Sequence, residues 1–432
     1  MSIRVSVACA SVLAVIVSTG SSLAVEPVAD WPRFRGPHVD GISPEKELLS
    51  TWPAGGPRLL WKLEGLGRGY STIAIAGGRL LTMGDRDEGS GEAQYALCYG
   101  LADRKLQWST RVGQSHSDGP RCTPTVDGEL TYVIGTDGDL LCLETATGRI
   151  RWQKNLPKEF GGRMMSVWKF SESPLVDGDH VVCTPGGPTA TVVALQKKTG
   201  DVVWRCAVPE LGRRGKDGAA YSSMIVADID GVRQYVQVLG RGAVGVAADD
   251  GRFLWGYNKI ANTTANIPTP IVRDNYVFVT TSYKTGSALL LLTRAGQRMK
   301  VDEVWFHGPD EFENHHGGVV LVGDHLYGGD GQNGGTPVCL DFLTGKILWK
   351  AEAPGKRSAA VLYADGNLVF RYESGLTALI EADPREFRVK GQFQEPVKSG
   401  PAWPYPVIHD GRLYLRAADT LMCFDVRAAS GS

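Results

Sequence analysis

Charge of one sign, long apolar runs and clustered cysteines are all scarce in this sequence. Its 46 lysines and arginines are balanced by 47 aspartates and glutamates, for a net charge of −1, and no basic run stands out. The cationic surface with which proteins neutralise phosphates is missing, so a nucleic-acid partner is not expected. Beyond residue 17 no apolar stretch approaches the ~20 residues that span a bilayer, so no transmembrane segment is expected in the mature chain. The eight cysteines include no Cys-x-x-Cys-His for haem and no paired Cys-x-x-Cys for zinc. No Gly-x-Ser-x-Gly elbow occurs, and no nucleophile, base and orienter can be assembled from the chain, which leaves a hydrolase without a signal. With 43% hydrophobic and 22% charged residues over 432 positions, disorder is excluded as the main state.

The one long apolar run lies at the start. Arg4 supplies a positive charge, residues 5–17 are apolar, and Ser22-Leu23-Ala24 puts small residues at the −3 and −1 positions of a cleavage site. This is the pattern of a secretory signal peptide cut after Ala24, and it predicts an exported chain. Cys9 lies inside the run, so cleavage leaves no lipidated cysteine. Seven cysteines remain, an odd number that cannot pair completely within one chain. Cys98, Cys142, Cys339 and Cys423 occupy one recurring position between apolar residues, where a thiol serves as a small hydrophobe.

What the sequence has in quantity is glycine, 54 residues, and tryptophan, 11 residues. Together with short apolar runs and frequent turns, that mixture predicts strands rather than helices. Trp61, Trp108, Trp152, Trp204, Trp255, Trp305 and Trp349, with Phe393 next in line, recur at spacings of 47, 44, 52, 51, 50, 44 and 44 residues. The clearest copy is Cys142-Leu143-Glu144-Thr145-Ala146-Thr147-Gly148-Arg149-Ile150-Arg151-Trp152, echoed at 339–349 and 194–204. Each reads as strand, tight Thr-Gly turn, strand. Upstream of each lies a second unit, an apolar pair followed by an Asp-Gly or Gly-Gly turn, as at 124–128, 174–178 and 406–411. Eight such starts, each worth four short strands, predict an all-β, eight-bladed β-propeller. The last copy stops before its Trp-bearing strand, while Leu59-Leu60-Trp61-Lys62 is such a strand without a copy before it. The N-terminal strand is therefore expected to close the last blade, which removes the open sheet edges of a partial ring.

The segment Ala/Cys-x-Asp/Glu-x-x-Thr-Gly-Lys/Arg-x-x-Trp resembles the tryptophan-docking repeat of the pyrroloquinoline-quinone-like (PQQ-like) β-propellers. Asp30-Trp31-Pro32-Arg33-Phe34-Arg35-Gly36-Pro37 also resembles the N-terminal lead of exported bacterial proteins with such repeats. The resemblance implies a signal peptide at 1–24, a lead segment at 25–57 and a propeller at 58–427, located in the periplasm or outside a bacterial cell. It implies one of two functions. One is a monomeric, non-catalytic scaffold like BamB, of the outer-membrane-protein assembly type, with a protein partner or a small extracytoplasmic ligand. The other is a PQQ-dependent dehydrogenase for alcohols or sugars, with PQQ and Ca²⁺ in the central channel. Quinoprotein dehydrogenases carry adjacent cysteines over the cofactor, and this chain has no Cys-Cys pair.

In such a ring the residues just upstream of each start converge on one mouth. By register these are Arg68, Tyr70, Arg121, Trp168, Lys169, Glu172, Tyr221, Asn262, Asn266, Asn314, His315, His316, Arg357 and Trp403. Arginine forks and indole faces suit a planar polyanion such as PQQ, a tricarboxylate; a water-filled channel with a hydrogen-bonding lining is the plainer reading. Glu172 and Asn266 are of the residue types that hold Ca²⁺ in the dehydrogenases, but neither sits in a matching local motif, and no metal ligand or catalytic residue is assigned. The His307-to-His316 stretch is dense in imidazoles and carboxylates without zinc spacing, and is expected to be polar lining. Adjacent His315 and His316 on a strand would point to opposite faces, so only one is expected to face the channel. Trp168, Tyr221 and Trp403 also leave carbohydrate binding on an aromatic mouth open.

Overall fold

The computed structural model describes Met1 and residues 30–89, 91–397 and 399–428. The expected signal segment, Cys9 included, lies outside these apart from Met1. The described residues form eight antiparallel sheets in chain order, spanning 74–114, 125–155, 175–206, 225–257, 271–307, 319–350, 359–394 and 407–425, here blades 1 to 8. First strands touch between blades 1 and 2, 2 and 3, and 6 and 7, and the eight blades form a propeller. Among the described residues helix is confined to Leu156–Phe160, capped by the Asn155 side chain. No helix among the described residues is long and apolar enough to cross a membrane.

The ring closes as the repeat count requires. Strand Arg58–Leu63 pairs antiparallel with Thr420–Asp425, placing Trp61 opposite Cys423, and supplies the fourth strand of blade 8. Cross-strand Cys–Trp pairs recur at Cys98/Trp108, Cys142/Trp152 and Cys339/Trp349. Next to each of these pairs the register slips by one residue, a bulge that adds twist to the outer strand. All seven cysteines among the described residues are buried and unbridged. Burial pushes the Cys98, Cys339 and Cys423 thiols up to about 12, so they are packing groups rather than nucleophiles.

The indoles of five repeat tryptophans join blades, whereas Trp255 Nε1 donates to Gln234 of its own blade. Trp108 Nε1 donates to Thr145 O at 3.0 Å, Trp152 to Lys197 O at 3.0 Å, Trp204 to Ala248 O at 3.2 Å, and Trp305 to Phe342 O at 3.0 Å. Each acceptor lies in the outer turn of the next blade, and the glycine of that turn lies under the ring. A Cβ on Gly148 would meet Trp108 at 2.6 Å, and one on Gly200 would meet Trp152 at 2.8 Å. Both glycines have positive φ, +70° and +77°, so the Thr-Gly turn is fixed by backbone conformation and by the approaching indole together. Where blade 7 meets blade 8, Phe393 replaces the tryptophan and Gly56 of the N-terminal lead takes the turn position, 2.4 Å from the ring on the same measure.

The lead itself crosses the ring on the side of the first turns. Trp31 exchanges backbone hydrogen bonds with Ile75 of blade 1, Pro32 O accepts from Val126 N of blade 2, and Gly41 O accepts from Tyr363 N of blade 7. Arg33 donates to Val176 O of blade 3, and Arg35 to Val319 O of blade 6 at 2.6 Å. Val39 packs into the core shared by blades 4 and 5. Ile42–Ser43 adds a parallel fifth strand to blade 7, and the Glu45 carboxylate accepts from Asp410 N and Gly411 N of blade 8. Every blade is thus touched by a stretch of 16 residues, from Asp30 to Glu45.

Candidate functional site

Opposite the lead, the segments entering the first strands and the turns after the second strands surround a cavity of about 410 Å³. The entering segments follow a period of two. Tyr70 and Thr72, Arg121 and Thr123, Ser171 and Ser173, Tyr221 and Ser223, Ala265 and Ile267, and Trp403 and Tyr405 all line it. The residue between each of the first five pairs faces the other way, as extended backbone requires. Three of these in-between side chains hold the strand behind them in one way. Ser71 Oγ accepts from Met83 N, Cys122 Sγ from Ile134 N, and Glu172 Oε2 from Thr184 N, always twelve residues on.

That alternation sorts the residues expected at the mouth. Tyr70, Arg121, Trp168, Tyr221, His315, His316, Arg357 and Trp403 line the cavity. Glu172 does not: it is buried between blades and accepts from Thr184 N, Thr184 Oγ1 and Gln237 Nε2. Burial pushes its carboxyl up to about 8 against those three bonds. Asn266 is likewise turned away, its Nδ2 bound to Leu239 O and Gly240 O. Asn262 and Asn314 are spent on local backbone groups. Arg68 and Lys169 lie outside the lining, drawn off by Asp85 and Glu92 and by Asp137, respectively. His315 and His316 both reach the cavity, against the one-face expectation, because residues 312–318 are irregular rather than strand.

The two sides of the cavity differ. From blades 3 to 5 come Trp168, Tyr221, Ile267 and Tyr283, which form an apolar cluster with Met165 and Ala265. Tyr221 is held by Ser166 Oγ at 2.7 Å and accepts from Trp168 N. From blades 6 to 8 come His315, His316, Gln332, Arg357, Glu373 and Trp403. His315 is fixed on both ring nitrogens, by Tyr283 Oη at 2.9 Å and Ser358 Oγ at 2.8 Å. Burial lowers it to about 4 and lowers His316 to about 3, the latter helped by its neighbour, so both imidazoles are neutral near pH 7. Arg121 donates to Trp168 O and is paired with Asp118 at 2.5 Å; Arg357 is paired with Glu373 Oε1 at 3.2 Å.

Phe34 of the lead is the floor, its ring edge-on to Tyr405 with centroids 5.0 Å apart. Beneath it the buried Arg35 binds Val39 O, Asp40 O and Val319 O. The cavity therefore has a mouth at one end and the lead across the other. Sequence reasoning missed Phe34, Tyr283, Glu373 and Tyr405. Tyr405 was reachable by stepping two residues from Trp403. Tyr283 and Glu373 sit on turns after second strands, which register counted from the first strands does not reach. The His307 stretch divides: His307 binds Gly345 O, Glu313 ties backbone amides and Ser282, and no group of three His, Cys, Asp or Glu suited to a metal occurs among the described residues.

Comparison with known proteins agrees with this architecture. The chain resembles BamB from Moraxella catarrhalis at 14% identity and a TM-score of 0.61, over 85% of this chain and 99% of that one. It resembles the quinohemoprotein alcohol dehydrogenase from Comamonas testosteroni at 12% identity and a TM-score of 0.64, over 93% and 81%. A computationally designed protein, Ika8, matches at 11% identity and a TM-score of 0.57, over 85% and 100%. At such identities these likenesses concern the fold alone. Among curated protein sequences there is no significant match. The family model described as outer membrane protein assembly factor BamB matches residues 92–351, more than half of the chain, and with eight closed blades built on its repeat the chain belongs to that family.

Proposed function

We propose that the protein is an exported, monomeric, non-catalytic binding propeller of the envelope-assembly type, with the mouth as its recognition site. The observation that carries this reading is the state of the cations expected at the mouth, of which only Arg121 and Arg357 line it. Arg68, Arg121, Lys169 and Arg357 each already have a carboxylate of the chain as partner, so none is left over for a tricarboxylate. Glu172 and Asn266, the residue types for a Ca²⁺ pole, are turned into the blades. PQQ with Ca²⁺ does not fit this donor set. Export rests on the N-terminal sequence pattern.

Calorimetric titration of the mature chain with PQQ, with and without Ca²⁺, and a dye-linked oxidation screen test the reading. No binding heat is expected. Saturable one-to-one binding with turnover would establish the dehydrogenase instead. Affinity capture from an envelope fraction is expected to retain a partner or ligand that Trp168→Ala releases, and capture of nothing would count against the assembly role.

A further inference from the structure

Three polar atoms at the mouth are buried and have no hydrogen-bond partner: Glu373 Oε2, His316 Nε2 and Trp403 Nε1. They belong to one place. His316 Nε2 and Glu373 Oε2 are 3.9 Å apart, and the His316 and Trp403 rings are 5.6 Å apart. Glu373 is only 7% exposed, and its other oxygen takes Arg357. Unpaired buried polar atoms carry a desolvation cost, so a cluster of three calls for an oxygen, of water or of a ligand, that supplies the missing bonds.

We infer that this pole, facing the aromatic wall, is a binding site for an uncharged hydroxylated ring, that is, a neutral carbohydrate. The inference rests on the reading of the mouth as a non-catalytic recognition site. A carboxylate or phosphate ligand would meet the free oxygen of Glu373. A metal ion would find no group of three His, Cys, Asp or Glu among the described residues, and an organic cation would find a carboxylate already shared with Arg357. An apolar ligand would leave all three atoms unsatisfied. Hydroxyl is the group that donates to Glu373, accepts from Trp403 Nε1 and does either with His316. The 3.9 Å separation is too long for a direct bond, so the two atoms do not satisfy each other. Across the cavity, Trp168, Tyr221 and Tyr283 offer the apolar side against which the C–H face of a sugar ring packs.

The test is titration of the full mature chain with D-glucose, N-acetyl-D-glucosamine, cellobiose and chitobiose, read by heat and by tryptophan fluorescence, with D-glucuronate as the charged comparison. At least one neutral sugar is expected to bind saturably and glucuronate not to. Glu373→Gln should weaken that binding about ten- to a hundredfold, as loss of a hydrogen bond to a charged group does, and Trp168→Ala should weaken it comparably, with melting curves confirming that both fold. If no neutral sugar binds, or if one binds with unchanged affinity in both variants, the inference is overturned. A captured protein partner together with silent sugars would overturn the carbohydrate assignment and keep the recognition reading, whereas PQQ binding with turnover would overturn the recognition reading itself.

Discussion

Arg371 and Glu395 show what a single buried pair does in this ring. Both side chains are sealed from solvent, joined by two bonds of 2.7 Å, with Arg371 also donating to Pro404 O at 2.7 Å. Pro404 lies between the mouth residues Trp403 and Tyr405, so the pair anchors that wall. Glu395→Ala strands a buried guanidinium and should cost about 3–5 kcal/mol, read from the urea midpoint. Titration gives a second test at this scale. Glu172, raised to about 8, keeps its proton in the fold where the unfolded chain has lost it, so its contribution is full at low pH and fades as pH rises toward 8. His315 and His316, lowered to about 4 and about 3, work in the opposite sense: the unfolded chain takes up protons that the fold refuses, and stability falls as pH drops below ~6.5. Glu172→Gln should therefore gain on the parent chain between pH 5 and pH 8, and an unchanged difference across that span would count against a raised carboxyl. None of this was legible in the sequence, where Glu172 looked like a channel residue; one step in a period-two register separates lining from interior.

At the scale of elements, the sequence was far more informative. Trp spacing, the Thr-Gly turn and the Cys opposite four of the tryptophans are local patterns, and local patterns predict the blades that form. The turn glycines allow a paired test. Gly128 has φ +57° with nothing near its missing Cβ, whereas Gly148 has φ +70° and the Trp108 ring against it. Gly128→Ala should cost about 1 kcal/mol from the left-handed backbone alone. Gly148→Ala should cost about 1–3 kcal/mol more, because the indole must move as well. Equal losses in denaturant unfolding would mean that the tryptophan does not seat on the turn. The mouth was legible only in part for a related reason. Segments in register with a strand can be counted, but Tyr283 and Glu373 come from turns whose approach is set by the closure of the whole ring.

At the scale of the molecule, the lead is the part whose role the sequence concealed. Its Trp, Phe and two Arg were visible as a motif, yet nothing local says that residues 30–45 reach eight blades. Deleting residues 30–43 should leave an all-β spectrum and expose the inner strands. The amides of Ile75, Val126 and Tyr363, which donate to lead carbonyls, should then exchange hydrogen much faster. Protection equal to that of the intact chain would show that the lead does not seal this end.

The same lead sets an order in time. Residues 30–45 leave the ribosome before any blade exists, but the groups that receive them include Val319, Tyr363 and Asp410, made near the end of synthesis. The lead as a whole can be fully seated only after the latest of these is made, and a chain stalled before blade 8 would leave Glu45 without its two amides. Seating of the lead thus follows the making of the ring: Arg35 needs Val319 of blade 6, and Glu45 needs Asp410 and Gly411 of blade 8.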